Sequence, residues 1–146
     1  MPTSSFSKFN DFAEQLCRGV HNFGSNTFKL ALTNTAPSAA NTILADITQI
    51  SAGGGYTAGA GGGYTLTGLT LTETGGVAKL VIGDLVITAT GASVGPFRYA
   101  VIYNDTATSP ADALVGWLDY ASALTLADTE TLTVDFDGTN GLFTVT

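Results

Sequence analysis

Few side chains in this sequence are equipped for acid–base, nucleophilic or metal chemistry. There is one histidine, His21, and one cysteine, Cys17. Their four-residue spacing would place both on one helical face, but no third group nearby orients such a pair for nucleophilic work. His21 falls at or just past the end of the helix expected there, where a cation suits the helix dipole, so a capping or surface role is expected. Cys17 reads as a buried, inert thiol. One His and one Cys cannot build a zinc site of the usual kind within one chain. No G-x-S-x-G motif occurs.

Three groupings remain. The Gly-rich stretch 53–63 repeats GGGYT at 53–57 and 61–65. It lacks the Lys-Ser/Thr of a phosphate-binding P-loop and no helical pattern follows it. It reads as a flexible excursion, one that could lie flat on another subunit, with Tyr56 and Tyr64 as packing anchors. Asp135, Asp137 and Asn140 form D-x-D-G-x-N, a partial calcium-loop pattern without the closing bidentate Glu. The same residues also fit the solvent face of a strand entering a Gly turn. Trp117 and Tyr120, with Tyr99 and Tyr103, could make a sugar-stacking platform. Against that, Phe97, Tyr99, Val101 and Tyr103 alternate as a core face does. No catalytic residue, metal or cofactor is expected, and the chain reads as a non-enzyme.

The rest of the composition describes what holds such residues. Of 146 residues, 45% are hydrophobic and only 12% charged, about half the usual charged share. Gly, Thr and Ser, at 18, 23 and 9 residues, replace Lys and Glu as solubilising residues. Thr favours strands and Gly supplies turns, so the composition leans all-β. The net charge of −7 is uneven. Residues 1–98 hold five acids and five bases, whereas 99–146 hold seven acids and no base. Such a surface repels phosphate, so neither nucleic acid nor an anionic membrane is an expected partner. Lys8, Asp11, Glu14 and Arg18 interrupt the first apolar stretch, which excludes a signal peptide or membrane span there.

Periodicity supplies the elements. Phe6, Phe9, Ala13, Leu16 and Val20 recur at helical steps, with Ser4 or Ser5 as cap and Gly19 and Gly24 bracketing the end. This predicts a helix or arm over 1–24, packed either on its own sheet or on a neighbouring subunit, ahead of a β-domain over 25–146. Alternation then marks 27–33 as a strand, while 42–50 is ambiguous between helix and loop. Gly-punctuated strands follow at 64–72, 77–82, 85–90, 97–103, 114–120, 131–136 and 142–145, with a bend at Gly68. Asp128 and Glu130 fit a hairpin turn between Leu126 and Leu132. The expected fold is all-β with one N-terminal helix: an antiparallel, jelly-roll-like β-sandwich of about eight strands.

Four stretches carry a family resemblance: KFNDFAEQLCRGVHNFGSNTFKLALTNTAP at 8–37, ADITQISAGGGYTAG at 45–59, GPFRYAVIYNDTAT at 95–108 and VGWLDYASALTLADTETLTVDFDGTNG at 115–141. They resemble small structural proteins of tailed-bacteriophage virions, and most closely the capsid cement, or decoration, class. That resemblance implies synthesis in the host cytoplasm and a final place on the outer face of the phage head. It implies the major capsid protein as partner, and self-association as a homodimer or homotrimer on the shell. The candidate contact residues are Phe6, Phe9, Gly55, Tyr56, Gly62, Tyr64, Asn104, Asp105 and Pro110. The alternative is a head-fibre or tail module that binds a host glycan through Trp117 and Tyr120.

Overall fold

The alternation at 27–33 becomes strand β2 (Phe28–Thr33) in the computed structural model, which describes residues 5–146. β2 lies in a five-stranded antiparallel sheet of order β1-β8-β7-β2-β3, with β1 at Ser5–Lys8, β3 at Tyr64–Thr65, β7 at Val94–Asn104 and β8 at Leu114–Leu126. A second sheet has the order β10-β5-β4, from Phe143–Val145, Val77–Val81 and Thr70–Thr74. A third pairs β6 (Leu85–Thr88) with β9 (Thr131–Val134). The chain is thus an antiparallel all-β sandwich, with one short helix and ten strands among the described residues. Two changes account for ten strands where about eight are expected. The segment 64–72 breaks in two around Gly68, whose φ of +67° suits glycine, and residues 5–8 add a strand of their own.

Both faces of the large sheet are covered along β2, β7 and the first half of β8, so these strands are apolar on both sides. One face carries Phe28, Leu30, Leu32, Ile102 and Val115 against Leu80, Ile87 and Phe136 from the smaller sheets and their connections. The other carries Ala31, Val101, Tyr103 and Leu114, covered by Phe9, Leu44 and Ile47. Apart from Phe9, this cover comes from the ambiguous segment 42–50, which folds as a single 3-10 turn (Leu44–Asp46). The Asp46 carboxylate accepts the Thr42 and Ile43 N–H groups at 2.9 and 3.3 Å, fixing that turn so that Leu44 faces the sheet.

The N-terminal segment corrects the helix expected over 1–24. Ser4 lies outside the described residues, and Ser5–Lys8 is a strand paired with β8, Phe6 opposite Leu118 and Ser7 opposite Trp117. In an extended chain a three-residue step changes face, so Phe6 joins the first core and Phe9 the second. The helix α1 covers only Phe12–Cys17. It ends where expected: Gly19 (φ +79°) donates to Leu16 O and Val20 to Gln15 O, the paired bonds of a Schellman stop. The segment therefore packs on its own sheet. The turn at Asp128 and Glu130 joins β8 to β9, which belong to different sheets, so it is a sheet-to-sheet corner and not a hairpin.

Candidate functional site

His21 and Asn104 meet where the N-terminal segment crosses the end of β7. Asn104 is fully buried. Its Nδ2 donates to Val20 O at 3.0 Å and to Asn26 Oδ1 at 2.9 Å, and its Oδ1 accepts from Thr106 N at 3.0 Å. His21 lies 3.3 Å away through Nδ1, with Phe12, Phe23 and Phe28 around its ring. It is 4% exposed, which corrects the surface role expected for it. Burial pushes its pKa down to about 4, opposed by the nearby Leu114 backbone and the Asp11 charge. The ring is neutral at pH 7, and its Nε2 has no hydrogen-bond partner. Cys17 is exposed, not buried, so it and His21 occupy opposite environments.

The Gly-rich stretch 53–63 is not a free excursion; it lies flat on its own sheet. The Tyr56 hydroxyl accepts from Leu32 N at 3.0 Å and donates to Gln49 Oε1 at 2.7 Å. The Tyr103 hydroxyl donates to Gly62 O at 2.6 Å, and Lys29 Nζ donates to Gly61 O at 2.6 Å. Burial raises both tyrosine pKa values, that of Tyr56 to about 12. At Gly63 (φ +82°) a Cβ would collide with the Leu30 carbonyl, so only glycine lets the loop approach β2 this closely. Tyr64 packs beside Tyr56 with ring centroids 5.7 Å apart, half-buried.

The nine candidate contact residues therefore divide. Phe9, Tyr56, Gly62 and Asn104 are buried and hold the chain together, so as they stand they offer a partner no surface. Phe6 and Tyr64 are half-buried. Phe6 fills the space left at Gly116, where a Cβ would strike its ring. Gly55 is exposed, and Asp105 and Pro110 are partly so. Asp105 pairs with Lys29 at 3.3 Å, while the carboxyl of nearby Asp112 is pushed up by burial and by the Asp105 charge. The loop from Asp105 to Asp112 thus sets two acids against the single Lys29.

The sugar-stacking platform does not assemble. Trp117 packs on Phe9 at 4.7 Å, on the second face of the large sheet. Tyr120 lines a cavity of about 380 Å³ on the opposite side, between Leu118, Phe97, Leu132 and Phe136. Tyr103 and Tyr99 are buried as a core face requires, but a register shift between Phe97 and Tyr99 sends Phe97 to the other core. At the cavity mouth Arg98 grips Asp119 through two bonds, of 2.8 and 3.0 Å, and holds that carboxyl below its usual range. Sequence reading missed this pair, whose only signal was the cross-strand register that sets Tyr99 opposite Asp119.

The Asp137 carboxylate is occupied within its own turn, by Thr139 N, Asn140 N and Asn140 Nδ2 at 2.7 to 2.8 Å. Among the described residues no group of three or more His, Cys, Asp or Glu side chains could hold a metal ion, and no helix is long and apolar enough to cross a membrane. The chain matches no protein-family model, no curated protein and no solved structure.

Proposed function

We propose that this chain is a structural component of a tailed-phage virion, of the capsid cement or decoration type, that binds the outer face of the head and bridges major capsid subunits. The observation that carries the reading is where the polar side chains are used. His21, Asn104, Tyr56 and Tyr103 are all committed inside the fold. Outside, beside the charged groups, lie many Thr and Gly residues and free strand edges, a surface suited to broad contact through shape and backbone. The resemblance of 8–37, 45–59, 95–108 and 115–141 to phage structural proteins supports the same reading.

The test is co-sedimentation of the purified protein with empty phage heads, with isolated tails and with host envelope. Saturable binding to heads alone is the expected result. Binding to envelope and not to heads overturns the proposal in favour of a glycan-binding fibre or tail module. In that event the contact would not be a Trp117–Tyr120 platform, since those rings face opposite sides of the sheet.

A further inference from the structure

We propose that β4 is a self-association edge, at which two copies of the chain pair antiparallel across a twofold axis through Thr72 and join their three-stranded sheets into one. The proposal concerns the free protein and stands apart from the virion reading. Natural edge strands are normally blunted by shortness, lysine, proline or a bulge. β1 has four residues and carries Lys8, β3 has two, β10 has three, and β6 and β9 lie beside Asp84, Glu130 and Asp135. β4 has five residues, Thr70-Leu71-Thr72-Glu73-Thr74, all exposed, with no proline, lysine or register shift. Among the described residues nothing pairs with its outer edge.

The backbone polarity of that edge follows from the turn beside it. Gly75 and Gly76, at φ +61° and +85°, close a two-residue hairpin with Thr74 opposite Val77. Residues flanking such a turn exchange hydrogen bonds with each other, and the pattern alternates along the ladder. Thr70, Thr72 and Thr74 therefore bond to β5, while the N–H and C=O groups of Leu71 and Glu73 point to the open side.

Those groups complement a second copy of themselves. With Thr72 opposite Thr72 of the other copy, each Leu71 meets a Glu73, and both outward-bonding pairs are satisfied at once. Thr70 then meets Thr74, so one face of the junction is a ladder of threonines, a favourable cross-strand pairing. No like charges stand opposite each other. Leu71, an apolar side chain left 52% exposed, gains the Glu73 stem as cover, and the Glu73 carboxylate is already tied to Gly76 N at 2.6 Å. Shifting the register to set Leu71 against Leu71 brings Thr74 opposite Gly68, where the chain bends, and shortens the ladder.

Charge also selects this edge. Two molecules of net charge −7 repel, but the hairpin 69–82 carries only Glu73 and Lys79 and is locally neutral. The contact is smaller than the roughly 1,200–2,000 Å² of a standard stable interface, so the dimer is a weak one.

Sedimentation velocity from about 1 µM to about 1 mM should show monomer passing reversibly to dimer. Residues opposite each other in a non-hydrogen-bonded antiparallel pair stand at disulfide distance. In a Cys17→Ser background, Thr72→Cys should therefore oxidise to a disulfide-linked dimer at least about tenfold faster than Val86→Cys, which is exposed on another sheet. Leu71→Pro, which removes an outward donor and leaves the β5 ladder intact, should abolish the dimer with an unchanged circular dichroism spectrum. A monomer throughout the range, equal oxidation rates for the two cysteines, or a dimer that survives Leu71→Pro in a folded protein would each overturn the proposal.

Discussion

His21 is the residue whose chemistry the fold changes most. Its ring is enclosed by Phe12, Phe23 and Phe28, and burial lowers its pKa from 6.5 to about 4. The unfolded chain therefore takes up a proton near pH 6.5 that the folded chain refuses until about pH 4. Stability is fully present above pH 6.5, falls as the pH drops through that window, and levels off below about 4. A shift of this size corresponds to about 3 kcal/mol. Urea unfolding across the window should show that loss in the natural protein. His21→Phe, which keeps an aromatic ring among aromatic rings, should stay nearly flat between the same limits. An equal slope in both proteins would assign the acid sensitivity to the carboxylates, several of which, such as Asp119 and Asp137, are held below their ordinary range by hydrogen bonds.

At the scale of elements, the Gly-rich stretch is the part whose role changes most between sequence and structure. Gly59 and Gly63 both have positive φ, +90° and +82°, but only Gly63 lies against backbone, at Leu30 O. Gly59→Ala should cost about 1 kcal/mol of backbone strain, whereas Gly63→Ala should cost that plus the displacement of the loop from β2, about 3 kcal/mol in all. Thermal unfolding of the two variants checks this, and equal small losses would mean that the loop is not held by the sheet. The composition of 53–63 could not announce such packing, because Gly marks flexible linkers and close backbone approaches alike. The helix over-reach has a similar origin: Phe6, Phe9 and Ala13 have helical spacing, yet a strand followed by a turn places the two phenylalanines in separate cores equally well. Strands were legible wherever alternation met a Gly turn, as in 77–82 and 27–33. Their assignment to three sheets was not, since Leu126 and Leu132 read the same whether the corner between them closes a hairpin or crosses from one sheet to another. Of the candidate contact residues, Phe9, Tyr56 and Asn104 are buried, and Phe6 and Tyr64 are half-buried; large apolar rings signal packing more often than contact.

At the scale of the molecule, the large sheet is the shared wall of two cores, and its strands carry apolar side chains to both. β2 sends Leu30 and Leu32 to one side and Ala31 to the other, and β8 sends Leu118 to one side and Trp117 to the other. Neither core can loosen without exposing the back of the strands that line its neighbour, so the two should melt together. Trp117, the only tryptophan, reports on the second core, whereas Leu80 is fully buried in the first, on a different sheet. Leu80→Ala should remove about 2–5 kcal/mol by leaving a cavity. Trp117 fluorescence and far-ultraviolet circular dichroism should move to the same lower midpoint in that variant, as in a two-state domain. A Trp117 transition left at its original midpoint while the far-ultraviolet signal shifts would show that the loop-covered core folds independently of the smaller sheets. The segment 34–63 would then be an accessory to the β-domain and not one of its walls.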